Sequence, residues 1–153
     1  MAMGTTLIYN KAFERGTFYD LAGATVKGFL TDDTSNANSA SLSTFADITG
    51  ELGTANGYTA GGVTLANVSL SQTSDVVTVT FDDPTWTPSG GDLAAKFFGI
   101  YIDGTVDGVT DPLLASVDLD TSVAAGITRS VGDILKIIVP GAGFLRIGRG
   151  TLA

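Results

Sequence analysis

Apolar and polar residues alternate with period two over most of this chain, and a helical period is nearly absent. Ala24–Leu30 sets Val26, Gly28 and Leu30 against Thr25, Lys27 and Phe29, which predicts a strand. Val63–Leu70 alternates too, but its phase slips near Ala66–Asn67, the mark of a bulge or bend. Val77, Val79 and Phe81 share one face of a strand that ends at Asp82-Asp83-Pro84. Trp86 lies between Pro84 and Pro88, so its strand is short or at an edge. Lys96–Ile102 is apolar on both faces, as a central strand would be. Leu113, Ala115, Val117 and Leu119 alternate with Ser116 and Asp118. Ile134–Val139 reads as a buried strand stopped by Pro140, and Phe144–Ile147 as its hairpin partner across the turn Gly141-Ala142-Gly143.

The remaining segments supply turns and one short helix or two. Thr5–Tyr9 reads as extended, and Asn10–Arg15 as one helical turn with Asn10 as N-cap and Gly16 as stop. Leu42, Phe45 and Ile48 recur every three residues, which predicts a short helix over Leu42–Ile48. Thr31–Leu42, rich in Ser, Asn, Asp and Thr, is a loop by composition, and Gly50–Gly62 reads as a mobile, glycine-rich one. Seven or eight short strands with Gly, Asp and Pro turns predict an all-β fold. The expected form is a single-domain antiparallel β-sandwich or barrel-like fold with long Gly/Ser/Thr-rich loops. Residues 1–16 form an extended N-terminal arm in this reading, and residues 17–153 the β domain.

Composition narrows the chemistry. The 153 residues include 20 glycines but no Cys and no His, and the net charge is −8. Disulfide scaffolds, zinc sites with nitrogen or sulfur ligands, and Ser-His or Cys-His nucleophiles are therefore excluded. A metal, if bound, would need oxygen ligands. The eight basic residues are scattered from Lys11 to Arg149 rather than clustered as phosphate recognition requires, so nucleic acid is not an expected partner. No stretch approaches the roughly 20 apolar residues of a membrane-spanning helix, so no membrane partner is expected either. Met1–Asn10 has no basic region followed by an apolar run, so no signal peptide is expected.

Several residues invite a chemical reading. Asp103, Asp107 and Asp111 recur every four residues in a loop with two Asp-Gly pairs. They read as an oxygen-ligand calcium site or as the caps of a hairpin turn; Leu114 occupies the place where an EF-hand has its bidentate Glu. Asp32-Asp33 and Asp82-Asp83 are paired carboxylates that flank turns. Glu14 and Glu51 are the only glutamates, the sort of pair a glycosidase needs, but without a surrounding motif. Gly141-Ala142-Gly143 lacks the third glycine and the following helix of a dinucleotide loop. No catalytic residue, cofactor or metal is assigned on these grounds, and the chain is not expected to be an enzyme. Trp86 is either a core filler or an exposed anchor for a partner. Arg146 and Arg149 are two charges on a solvated strand end or anchors for an acidic partner.

Read in order, the segments resemble a family of small virion structural proteins of tailed phages. Tyr9-Asn-Lys-Ala-Phe13 leads into Ala24-Thr-Val-Lys-Gly-Phe-Leu30 and Thr31-Asp-Asp33. Gly57-Tyr58 precedes a strand, and Val77-Thr-Val-Thr-Phe-Asp-Asp83 precedes Thr85-Trp86-Thr87. Phe97-Phe-Gly-Ile-Tyr-Ile-Asp103, Asp111-Pro-Leu-Leu-Ala-Ser-Val-Asp118, Val131-Gly-Asp-Ile-Leu-Lys-Ile-Ile138 and Gly143-Phe-Leu-Arg-Ile147 follow. The family's longer charged loop after Thr31 is replaced here by Ser, Asn and Ala. The resemblance implies a capsid decoration or cement protein, a homotrimer on the outer surface of the virion, bound to the major capsid protein. A tail, neck or fibre component of the virion, with host binding as one possible role, is the alternative it leaves open. A carbohydrate- or calcium-binding β module and a carboxylate-based enzyme are the readings from outside the family. The interface residues it suggests are Thr5, Thr6, Leu7, Ile8 and Tyr9 of an arm that adds to a neighbour's sheet, with Trp86, Arg146 and Arg149. On this view loss of residues 1–9 weakens binding to the shell and leaves folding intact.

Overall fold

Gly28 and Gly99 sit on neighbouring antiparallel strands, and each makes room for a phenylalanine of the other. A Cβ on Gly28 would fall 2.6 Å from the Phe98 ring, and one on Gly99 would collide with the ring of Phe29. The computed structural model describes residues 2–21 and 23–148. Its elements in chain order are β1 (Leu7–Ile8), α1 (Asn10–Arg15), β2 (Val26–Thr31), β3 (Val63–Thr64), β4 (Ser69–Thr73), β5 (Val76–Thr80), β6 (Thr85–Trp86) and β7 (Leu93–Ala95). They continue with β8 (Phe97–Ile102), β9 (Thr105–Val106), β10 (Val109–Thr110), β11 (Leu113–Asp118), β12 (Ile127–Arg129), β13 (Leu135–Lys136) and β14 (Leu145–Gly148). Single 3₁₀ turns lie at Thr17–Leu21 and Phe45–Asp47.

The glycine exchange lies at the centre of a five-stranded sheet ordered β1-β11-β8-β2-β3, antiparallel throughout. Every residue of β8 is buried, as its two apolar faces require. On one face Phe98 meets Phe81, Trp86 and Phe144, with ring centroids 5.6 to 6.3 Å apart. These rings come from the second layer, made of the sheet β14-β5-β4 and the pair β13-β6. On the other face Phe45 stacks on Tyr101 at 4.2 Å and meets Phe29 edge-on at 5.1 Å. The loop after β2 thus closes the outer side. The fold is all-β and sandwich-like, and its sheets do not close into a barrel among the described residues.

Several expectations change. Phe144–Ile147 does not pair with Ile134–Val139; β14 pairs with β5, because Phe144 is drawn to Phe81 and Phe98 in the core. Only Leu135–Lys136 of the expected 134–139 strand forms a ladder, and Leu135, Ile137 and, less deeply, Val139 point inward. The expected helix over 42–48 shrinks to the single turn Phe45–Asp47, whose start is closed by Asp47 and Thr44 in a capping box. Helix α1 stops at Gly16 as expected, with φ +64°, but its N-cap is Tyr9. The Gly50–Gly62 loop is pinned: buried Tyr58 accepts from Leu30 N–H at 3.2 Å and donates to Glu51 Oε1 at 2.8 Å. Residues 2–16 lie against the domain, with Tyr9 and Ala12 in the common core.

Candidate functional site

The carboxylates singled out by spacing are engaged in building turns and strands. Asp103–Asp111 forms the β9–β10 hairpin, with Asp107 and Gly108 at φ +48° and +77°, the primed turn that antiparallel strands favour. Asp103 pairs with Lys27 at 2.9 Å, and Asp111 Oδ1 accepts Gly104 N–H at 2.9 Å. Glu51 holds the Tyr58 hydroxyl and the Gly61 N–H, while Glu14 forms an exposed pair with Lys11 at 2.7 Å. Among the described residues no three acidic side chains come together in a way that would hold a metal ion.

Four carboxylates lie below the usual carboxylate range. Backbone N–H groups of Thr44 and Ser43 hold Asp47 down, and Val139 N–H followed by Lys136 does so for Asp83. Hydrogen bonds from Ser122 lower Asp120, and Lys11 lowers Glu14. A general acid working near neutrality needs the opposite shift.

The interface candidates are dispersed. β1 is an outer strand of the central sheet, paired Leu7 to Ser116 and Ile8 to Ala115. Thr5 is exposed, Thr6, Leu7 and Ile8 are half-buried, and Tyr9 is fully buried, so its side chain is part of the core. Trp86 is also buried, between the rings of Tyr58 and Phe98, and fills the core rather than presenting an anchor. Arg146 is exposed on β14 opposite Thr78. Arg149 lies outside the described residues.

The surface the sequence reading missed is apolar. Val131, Ile134 and Ile138 are exposed, the last two by 56% and 67%. A run of Ile-Leu-Lys-Ile-Ile looks buried on both faces, yet Leu135 and Ile137 go inward and Ile134, Lys136 and Ile138 outward. The interposed Lys136 was the available signal, since it marks the solvent side of an alternating strand. Charge is unevenly distributed as well. Residues 121–153 carry four basic residues and one acidic, whereas residues 1–120 carry four basic and fifteen acidic.

The fold therefore defines an all-β, sandwich-like protein whose chemistry-bearing side chains serve structure and whose least expected feature is an exposed apolar strip. No protein-family model, curated protein or solved structure matches the chain. No helix among the described residues is long and apolar enough to cross a membrane.

Proposed function

We propose that this protein is a capsid decoration or cement protein of a tailed phage, which binds the assembled lattice of the major capsid protein and stabilises the head. The observation that carries the reading is the ordered set of segments from Tyr9 to Ile147, whose sequence and spacing resemble that virion family over nearly the whole chain. The all-β fold and the strip Val131–Ile138 are compatible with it: a protein of this kind needs a rigid scaffold and a contact surface. A net charge of −8 suits the outside of a shell better than the DNA-facing side. A ligand that binds only the assembled lattice shifts the equilibrium toward the intact particle. A homotrimer suits threefold positions of such a lattice, where closed cyclic symmetry matches the site.

The test is the copy number of this chain in purified particles, by calibrated gel densitometry against the shell protein. A ratio near that of the shell protein supports a lattice-covering cement. A ratio far below it moves the chain to the tail, neck or a fibre, and absence from particles overturns the virion reading.

A further inference from the structure

Residues 127–138 form an open margin of the fold. Among the described residues β12 pairs only with β7 and β13 only with β6, each as a two-stranded sheet. The in-chain bonds of this stretch fall on alternate residues: Ile137 N–H donates to Pro84 O at 3.0 Å, and Val139 N–H to Asp83 Oδ1 at 2.8 Å. Backbone groups alternate in direction along an antiparallel strand, so Ile134, Lys136 and Ile138 turn theirs to the open side. Ile134 and Ile138 also carry the exposed apolar side chains. One short stretch thus combines an unpaired backbone edge with an uncovered apolar face.

Protein edges of this kind are commonly blunted by a free lysine, a proline or a bulge. Here the only lysine on the stretch is drawn aside, with Nζ 3.0 Å from Asp83 Oδ2. Asp133 flanks one end of the edge, and Asp82 and Asp83 the other, so the ends remain acidic after Lys136 neutralises one carboxylate.

We infer that the Ile134–Ile138 edge accepts an extended strand of a different protein, apolar at alternate positions and flanked by lysine or arginine. Main-chain bonds would supply the affinity, and cover over Ile134 and Ile138 the specificity. A second copy is the poorer occupant: antiparallel pairing centred on the stretch sets Lys136 against Lys136 and brings together two chains of −8. Naming the partner as the shell protein rests on the proposed function.

The test is amide hydrogen exchange on the full chain, free and bound to purified particles. The Ile134, Lys136 and Ile138 amides should exchange fast in the free protein and about tenfold or more slowly when bound. Lys136→Pro, which removes an outward N–H without touching the Pro84 bond, should abolish binding. Lys136→Ala, which loses the Asp83 pair but keeps the N–H, should still bind. Binding with these amides still fast overturns the inference and leaves the cement reading standing. So does a folded Lys136→Pro variant that binds like the parent. Should that variant fail to fold, the exchange result on the parent chain decides. Failure of the parent to bind particles at all overturns the proposed function, and this partner with it.

Discussion

Tyr9 and Ser116 donate their hydroxyl hydrogens to one acceptor, the Ala37 carbonyl oxygen, at 2.8 and 2.7 Å. All three residues are buried, and they join the N-terminal segment, the loop after β2 and β11. Either bond alone keeps the carbonyl satisfied. Tyr9→Phe and Ser116→Ala should therefore each cost about 1 kcal/mol in urea unfolding. The double variant should lose more than the two together, because it strands a buried oxygen. Strict additivity would show that the shared acceptor carries no coupling.

The same anchoring revises the expectation for the N-terminal segment. Residues 2–5 contribute a few bonds near the surface: Gly4 N–H to Asp118 O, Thr121 N–H and Oγ1 to Ala2 O, and Ala2 N–H to Asp120 Oδ1. Their removal should leave a folded protein with a modestly lower Tm. Removal through Tyr9 also takes β1 and a fully buried aromatic ring, whose loss alone costs about 3–5 kcal/mol. Circular dichroism melts of the two truncations should differ sharply. A cooperative, near-parental melt of the longer truncation would return the segment to the status of a dispensable arm.

The glycine exchange at the sheet centre gives a third expectation. Gly99→Ala drives a methyl group into the Phe29 ring, which packs against the stacked pair Phe45 and Tyr101. Overpacking of a tight core costs about 1–3 kcal/mol, and denaturant midpoints should fall accordingly. Gly108→Ala is an informative comparison: its Cβ would meet nothing within 4 Å, so any loss there comes from its φ of +77° alone.

Much of this architecture is written in local patterns. The two-sided apolar run of β8, the alternation of β2 and the Asp-Gly turn of β9–β10 each encode their own conformation. Strand partners are encoded less directly. β14 presents the same apolar residues whichever strand it joins, and its choice of β5 depends on the three-way meeting of Phe81, Phe98 and Phe144. The fate of Tyr58 depends on Leu30, 28 residues away, as well as on Glu51 in its own loop. The exposed strip was hidden for another reason: Ile134 and Ile138 outside are as apolar as Leu135 and Ile137 inside, and the single Lys136 between them is the one residue whose character marks the outer face.

Alkaline pH should unfold the protein. Burial holds the Tyr9 hydroxyl up at about 12 and raises Tyr58 and Tyr101 further, whereas an unfolded tyrosine ionises near 10. Between those values the native state binds more protons than the unfolded one, so stability falls as pH rises. The contribution is fully present below about pH 10 and is lost through the folded pKa. Tyrosinate absorbance should rise cooperatively with loss of the β signal. Smooth titration of all four tyrosines near 10, with the fold intact, would contradict the burial of these three.

Lys96 offers the sharpest stability test. Its ammonium is nearly buried and meets three acceptors: Asp120 O at 2.8 Å, Val123 O at 2.9 Å and Asp118 Oδ1 at 3.0 Å. An ammonium has three hydrogens, so each acceptor takes one. The two carbonyls belong to the turn after β11, which the lysine ties to the sheet. Lys96→Met keeps the length of the side chain but removes the cation, leaving Asp120 O, Val123 O and Asp118 Oδ1 with only their backbone donors, the N–H groups of Val123, Gly126 and Asp120. A loss of about 1.5–3 kcal/mol is expected, the range for hydrogen bonds made by a charged group. Asp118→Asn leaves the lysine its two carbonyls and keeps a side-chain oxygen in place, so it should cost clearly less. Equilibrium unfolding of the two variants separates the contributions. Equal losses would mean that the ion pair, rather than the carbonyl bonds, dominates the clamp.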